Sequence, residues 1–335
     1  MIHRTRPAWQ VSSWQRQLAE AFTHPEQLLS FLDIDQALLS GSLPAHRQFG
    51  LRVPRWFANR MEKGNPNDPL LRQVLPLGEE LRAEPGFLTD PVSDLDQAPV
   101  PGVLQKYQGR VLLMMTGACA VNCRYCFRRH YPYGEASLER DQSSAALKFL
   151  ERSVEISEVI LSGGDPLMLS DRRLAELGNH LQSIAHIRRL RIHTRLPVVL
   201  PDRLTPELIR GLTEHGLETS MVLHVNHPRE ISHKHRMMLA PLRERGMVLL
   251  NQSVLLKGVN NDIHSLCNLS EKLFSIGVIP YYLHQLDRVA GAAHFEVTDD
   301  HALELHQQMQ ARLPGYLVPR LVRELPGAAS KTPIK

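Results

Sequence analysis

Between residues 110 and 286 short apolar runs of β type recur, and the stretches between them place apolar residues every three or four positions. The runs are RVLLMM (110–115), EVILS (158–162), LRIHT (190–194), TSMVLHV (219–225), VLLNQSVLL (248–256) and PYYLHQL (280–286). Helical patterns between them include LAELGNHLQSI (174–184), PELIRGLTEHG (206–216) and DIHSLCNLSEKLFSIG (262–277). Six strands alternating with helices predict a parallel sheet with right-handed crossovers. The class is α/β, as an incomplete (β/α)6 barrel or an open doubly wound sheet. In both, chemistry gathers at the C-terminal ends of the strands.

Upstream the pattern changes twice. From about Pro7 to Arg60 apolar positions such as Leu18, Ala21, Phe22, Leu28, Leu29 and Phe31 are set among polar ones with helical spacing. Residues 64–101 are rich in proline and glycine, which predicts an irregular connection lying over the scaffold. The expected organisation is an N-terminal helical region (1–64), an irregular connecting segment (65–109), an α/β core (110–315) and a C-terminal segment (316–335).

Composition narrows the class. Across 335 residues, 43% hydrophobic and 22% charged residues suit a globular chain with a large core. The net charge of +4 rests on arginine, since eight of the 39 basic residues are lysines. The basic residues are dispersed, so nucleic acid is not expected as a partner. No stretch approaches the ~18 apolar residues of a membrane span, and MIHRTRPAWQVSSW lacks the apolar core of a signal peptide. A cytoplasmic location is expected, where clustered cysteines bind metals or do catalysis rather than pair as disulfides.

Three of the four cysteines fall within CAVNCRYC, as Cys119, Cys123 and Cys126. A structural zinc site takes four ligands. Three thiolates from one loop suit three corners of an iron–sulfur cubane and leave its fourth iron open to a small molecule. Zinc completed by His130 or Cys267 is the competing arrangement, and with it a zinc-containing nucleic-acid-binding protein. Cys267 shares a helical face with Ile263, Leu266, Leu273 and Phe274, which reads as core. A second motif, LSGGDPL (161–167), follows a strand: Gly163 and Gly164 permit close backbone approach, and Asp165 could accept hydrogen bonds from an ammonium group.

CxxxCxxC with Tyr125 before the last cysteine resembles the motif of radical S-adenosylmethionine enzymes, and LSGGDPL resembles that superfamily's methionine-binding motif. The segments DPLLRQVLP (68–76), KYQGRVLL (106–113), CRYCFRRH (123–130), RLPVVLP (195–201), NHPREI (226–231), NQSVLLKGVN (251–260), PYYLHQLD (280–287) and GYLVPRL…PGAASK (315–331) narrow the match. Together, over residues 65–335, they resemble the lysine 2,3-aminomutase family.

That resemblance implies a partial (β/α)6 barrel, a [4Fe-4S] cluster on the three cysteines, S-adenosylmethionine on the open iron, and pyridoxal 5'-phosphate. By position, Lys331 would carry the pyridoxal phosphate, and Lys106, Tyr107 and Arg110 would anchor its phosphate. His224, Gln252, Gly163, Gly164 and Asp165 would contact adenosylmethionine. Arg128 would fork onto the substrate α-carboxylate, with its neighbour Arg129 left as surface charge. Asp287 and Glu324 would hold the lysine ε-ammonium. Without the resemblance Lys331, four residues from the end, reads as a frayed, solvated lysine. Glu324 stands where the family carries aspartate, and the extra methylene moves its carboxylate outward by about 1.5 Å. Asp262 stands where longer relatives carry a zinc-linked cysteine, so zinc and that dimer mode are not expected. The implied reaction is L-α-lysine to (R)-β-lysine, in the branch that serves elongation factor P through a separate β-lysine ligase, with a reductase or flavodoxin-type electron donor. A radical enzyme acting on another amino acid, such as glutamate, or on a protein-bound lysine is the alternative within the same fold.

Overall fold

The computed structural model describes residues 13–136, 138 and 143–334. Residues 7–12 of the expected N-terminal helical stretch lie outside the described residues. A single sheet runs in strict chain order: β1 (Val103–Tyr107), β2 (Arg110–Met114), β3 (Glu158–Ser162), β4 (Arg189–Thr194), β5 (Glu218–His224), β6 (Val248–Val254), β7 (Ile279–His284), β8 (Arg320–Arg323) and β9 (Thr332–Pro333). Every pairing from β2 to β8 is parallel, while β1 and β9 close the two edges as antiparallel strands.

Helices Ser143–Arg152, Asp171–Ser183, Pro206–Thr213, His233–Glu244, Ile263–Ser275 and Asp299–Arg312 follow β2 to β7 in turn. They give six β/α units and then β8. Strand order decides between the two expected architectures. A doubly wound sheet reverses direction at a switch point, whereas strictly sequential order with right-handed crossovers stacks every helix on one face. The other face curls around a cavity, and the result is a partial, unclosed barrel. Helix starts are legible in the side chains that cap them: Ser170, Thr205, Asp262 and Thr298 each accept a hydrogen bond from the first turn. Asp262 thus has a local task, accepting from the Ser265 amide at 2.9 Å.

The six expected strands appear within two residues of their ends. The N-terminal region is helical but broken into pieces, Trp14–Ala19, Pro25–Phe31, Leu43–Gln48 and Arg55–Ala58, with Phe22 and Val53 bridging between them. Pro25, Gly41 and Pro54 punctuate it, as residues that cannot continue or that loosen a helix do. Leu28, Leu29 and Phe57 are fully buried and join the core that covers the outer face of the sheet. The irregular segment lies across the mouth of the barrel, where Leu88 pairs with the chain around Val289. Cys267 sits with Ile263 and Leu266 in a second core cluster, but Phe274 of the same helix is half-exposed against Tyr316. Among the described residues no helix is long and apolar enough to cross a membrane.

Candidate active site

The loop after β2 carries Cys119, Cys123 and Cys126 into a cavity of about 500 Å³, which the residues expected to hold adenosylmethionine, pyridoxal phosphate and substrate also line. Lys106, Tyr107 and Arg110 reach it from β1 and β2, Gly163, Gly164 and Asp165 from the loop after β3, His224 from β5 and Gln252 from β6. Asp287 follows β7, Glu324 follows β8, and Lys331 precedes β9.

Two loops build the cysteine end. The Gly164 amide donates to Thr116 O at 2.6 Å and the Asp165 amide to Ala118 O at 2.9 Å, so the glycine loop is stitched to the cysteine loop. A β-carbon on Gly163, at φ 114°, would lie 2.7 Å from Thr116 O, and one on Gly164 would lie 2.5 Å from Ala118 O. The glycines are required by this loop-on-loop approach. Asp165 is placed differently from the expectation. Its carboxylate accepts from the Thr194 hydroxyl (2.7 and 2.9 Å) and from the amides of Leu167 (3.0 Å), Arg195 (2.8 Å) and Leu196 (2.9 Å). Both oxygens are occupied within the protein, so Asp165 ties β3 to the end of β4 rather than waiting for an ammonium group.

Burial pushes the Cys126 thiol up to about 11 and the Cys119 thiol upward as well, with neighbouring acidic groups and thiols adding to the effect. Such thiols ionise readily only beside strong positive charge, which cluster iron supplies. Among the described residues no three His, Cys, Asp or Glu side chains converge as ligands to one ion would. Cubane thiolates bind separate irons and need to share a cavity rather than a point. His130 and Cys267 stand away from this cavity; the His130 ring meets Ala290 O at 3.1 Å. The donor set therefore fits a [4Fe-4S] cluster.

At the opposite end Lys331 Nζ lies 2.6 Å from Glu324 Oε2, and the Tyr107 hydroxyl donates to Glu324 Oε1 at 2.7 Å. Burial pulls the Glu324 carboxyl upward, but the Lys331 ammonium and these hydrogen bonds outweigh it and hold the group below the usual range. Asp287 differs. It is half-buried, receives no side-chain hydrogen bond among the described residues, and is pushed up to about 7 by desolvation, a shift that Lys331 partly relieves and Glu324 reinforces. Lys331 is not frayed: Thr332 and Pro333 pair with Arg323 and Val322 of β8. The aspartate-to-glutamate departure thus gives Lys331 and Tyr107 a shared partner.

Arg128 donates from Nε to Asp94 Oδ2 at 2.6 Å and from Nη1 to the Ser162 hydroxyl at 3.0 Å. Asp94, buried in the irregular segment, also pairs with Lys106 Nζ at 2.5 Å. It holds the carboxylate-binding and phosphate-binding candidates in one ionic group, and sequence reasoning missed it. Lys106 and Tyr107 have protein partners, whereas Arg110, stacked over the Tyr107 ring, keeps a buried Nε with no partner. That orphaned donor and Lys331 fit a phosphate-bearing pyridoxal. Arg129 is not surface charge: its side chain is 1% exposed and meets Glu80 at 2.7 Å, beside Arg124 on the same carboxylate. Gln252 Nε2 lies 2.9 Å from His224 Nε2, and burial lowers His224 to about 3, leaving a neutral ring. His193 and His284 also face the cavity, each with a buried Nε2 lacking a partner.

A Radical SAM superfamily model matches residues 113–265, the stretch from β2 into the helix after β6. The chain is 50% identical over 323 residues to an Escherichia coli K12 protein named L-lysine 2,3-aminomutase, covering 96% of this chain and 94% of that one. The chain belongs to the L-lysine 2,3-aminomutase family. Another family member, from Haemophilus influenzae, is 47% identical over 320 residues, covering 96% and 95%. The aminomutase of Clostridium subterminale is 32% identical over 324 residues, covering 96% of this chain and 78% of that one. A match over 96% of this chain takes in the irregular segment that supplies Asp94.

Proposed function

We propose that the protein isomerises L-α-lysine to (R)-β-lysine by moving the amino group from the α- to the β-carbon. The observation that carries this reading is the single cavity that joins a three-cysteine loop, an arginine and a lysine with a half-buried carboxylate pair beside it. Cys119, Cys123 and Cys126 would hold the [4Fe-4S] cluster, His224, Gln252 and the glycine loop would line the adenosylmethionine site, and Lys331 with Arg110 would hold pyridoxal phosphate. When bound, these groups supply a one-electron reductant, a hydrogen-abstracting radical and an imine-forming carbonyl.

This chain's residues orient and enclose. Arg128 presents a planar fork suited to the α-carboxylate, and its Nε bond to Asp94 fixes the fork's direction. Asp287 faces the substrate's far end, where an ammonium would find a desolvated carboxylate without a competing donor. Glu324 holds the Lys331 side chain in place when it is not joined to the cofactor. Holding both ends of lysine aligns the carbon to be attacked, the main contribution a scaffold makes to radical transfer. Gly163, Gly164 and Asp165 keep the cysteine loop against β4.

The wider setting extends the same reading. The product would serve modification of elongation factor P through a separate ligase, in the cytoplasm, with a reductase or flavodoxin-type donor supplying the electron. Identity of 50% over nearly the whole chain to the Escherichia coli L-lysine 2,3-aminomutase supports the reaction on which this setting rests. Two carboxylates at the far end of the cavity disfavour glutamate by like-charge repulsion. Anaerobic incubation with adenosylmethionine, pyridoxal phosphate, a reductant and either lysine or glutamate, with chiral product separation, tests the assignment. (R)-β-lysine from lysine alone is expected; turnover of glutamate without lysine turnover contradicts it.

A further inference from the structure

Arg195 begins RLPVVLP at the end of β4, and its side chain is 6% exposed. Its Nη1 donates to Cys123 Sγ at 2.8 Å and to the Tyr125 hydroxyl. Its Nη2 donates to Gln73 Oε1 at 2.7 Å and Glu230 Oε2 at 3.0 Å, and its own amide donates to Asp165. Glu230 is itself fully buried and held by the amides of Asn226 and His227, both at 3.0 Å, and by Gln73 Nε2 at 3.2 Å. The guanidinium is therefore fixed from several directions with one edge on a thiol. Among the described side chains none gives Cys119 or Cys126 such a cationic donor.

We propose that Arg195 is a positioning residue that raises the reduction potential of the cluster held by Cys119, Cys123 and Cys126, with Gln73 and Glu230 locking its guanidinium onto the Cys123 sulfur. The proposal rests on the reading of those cysteines as cluster ligands. One electron added to the cluster adds one unit of negative charge, and a fixed cation beside a ligand sulfur stabilises the reduced form more than the oxidised one. The hydrogen bond acts in the same direction by withdrawing density from the thiolate. The low-dielectric surroundings keep the effect from being screened. Asp165 then has a second consequence: by holding the Arg195 amide, it sets where the guanidinium stands.

The test is an electron-resonance-monitored redox titration of anaerobically reconstituted full-length protein, native, Arg195→Met and Arg195→Lys, with iron and sulfide measured on each sample. Arg195→Met with roughly four irons and four sulfides and a midpoint shifted to more negative potential is expected, with Arg195→Lys between the two. A fully loaded Met variant with the native midpoint overturns the proposal. If Arg195→Met does not hold iron, the lysine variant decides. Restored loading with a more negative midpoint supports the proposal; restored loading at the native midpoint, or no loading with a lowered apo-protein melting temperature, makes Arg195 a structural residue. Native protein that reconstitutes with zinc and no iron would instead remove the cluster reading itself.

Discussion

Two carboxylates of similar burial behave oppositely at the far end of the cavity. Glu324 is held ionised by Lys331, while Asp287 stays poised near neutrality because burial outweighs the attraction of the same lysine. An ammonium binds the ionised carboxylate, so lysine affinity should rise with pH through about 7 and then level off. Asp287→Asn should flatten that profile and lower kcat/KM on the order of 10²-fold, the scale for truncating one partner of a buried charge pair. Calorimetric lysine binding at several pH values checks it; an unchanged profile in the Asn variant contradicts it. Stability responds with the reverse sign. The folded protein holds the Asp287 proton more tightly than the unfolded chain, so this contribution is full below about pH 4 and is lost as pH rises through about 7. The cysteines and Lys331 were legible as motif positions. Asp94 was not, because an aspartate in a proline-rich stretch shows its role only when Lys106 and Arg128 are brought to it.

At the scale of elements, the loop after β3 is a brace as much as a binding loop. Its glycines let it touch the cysteine loop, and its aspartate holds the end of β4. Gly164→Ala would force a β-carbon against Ala118 O, costing roughly 1–3 kcal/mol as overpacking does. The expected result is lowered thermal stability together with reduced iron content after reconstitution; a variant that loads iron as the native protein does, with an unchanged melting curve, contradicts the bracing role. The glycines were visible in the sequence, but what they approach was not. Positive φ and close contact look the same in a string whether the neighbour is a ligand or another loop. The chain end teaches the same lesson. TP at 332–333 carries no strand signal of its own, and it becomes β9 only because β8 offers an unpaired edge. Lys331 is ordered by that edge.

For the molecule as a whole, the alternation of apolar runs and helical patterns was enough to place six of the strands, since period and length are local properties. Barrel against open sheet was settled by strand order, which is non-local. The helical and irregular N-terminal third was legible as separate from the sheet, yet its contribution to the site was not: Gln73 reaches Arg195 across 122 residues of sequence, and Glu80 reaches Arg124 and Arg129 across 44 and 49. Those contacts brace the cysteine loop and the end of β4 from outside, while Phe49 and Val92 line the cavity itself. The central claim is that this cavity moves an amino group within one molecule of lysine. Anaerobic turnover of L-lysine labelled with 15N at the α-amino group tests it most directly, read by NMR of the product. The label bonded to the β-carbon of (R)-β-lysine, with no labelled ammonia released, is the predicted result. Label retained at the α-carbon, or appearing as free ammonia, would contradict it.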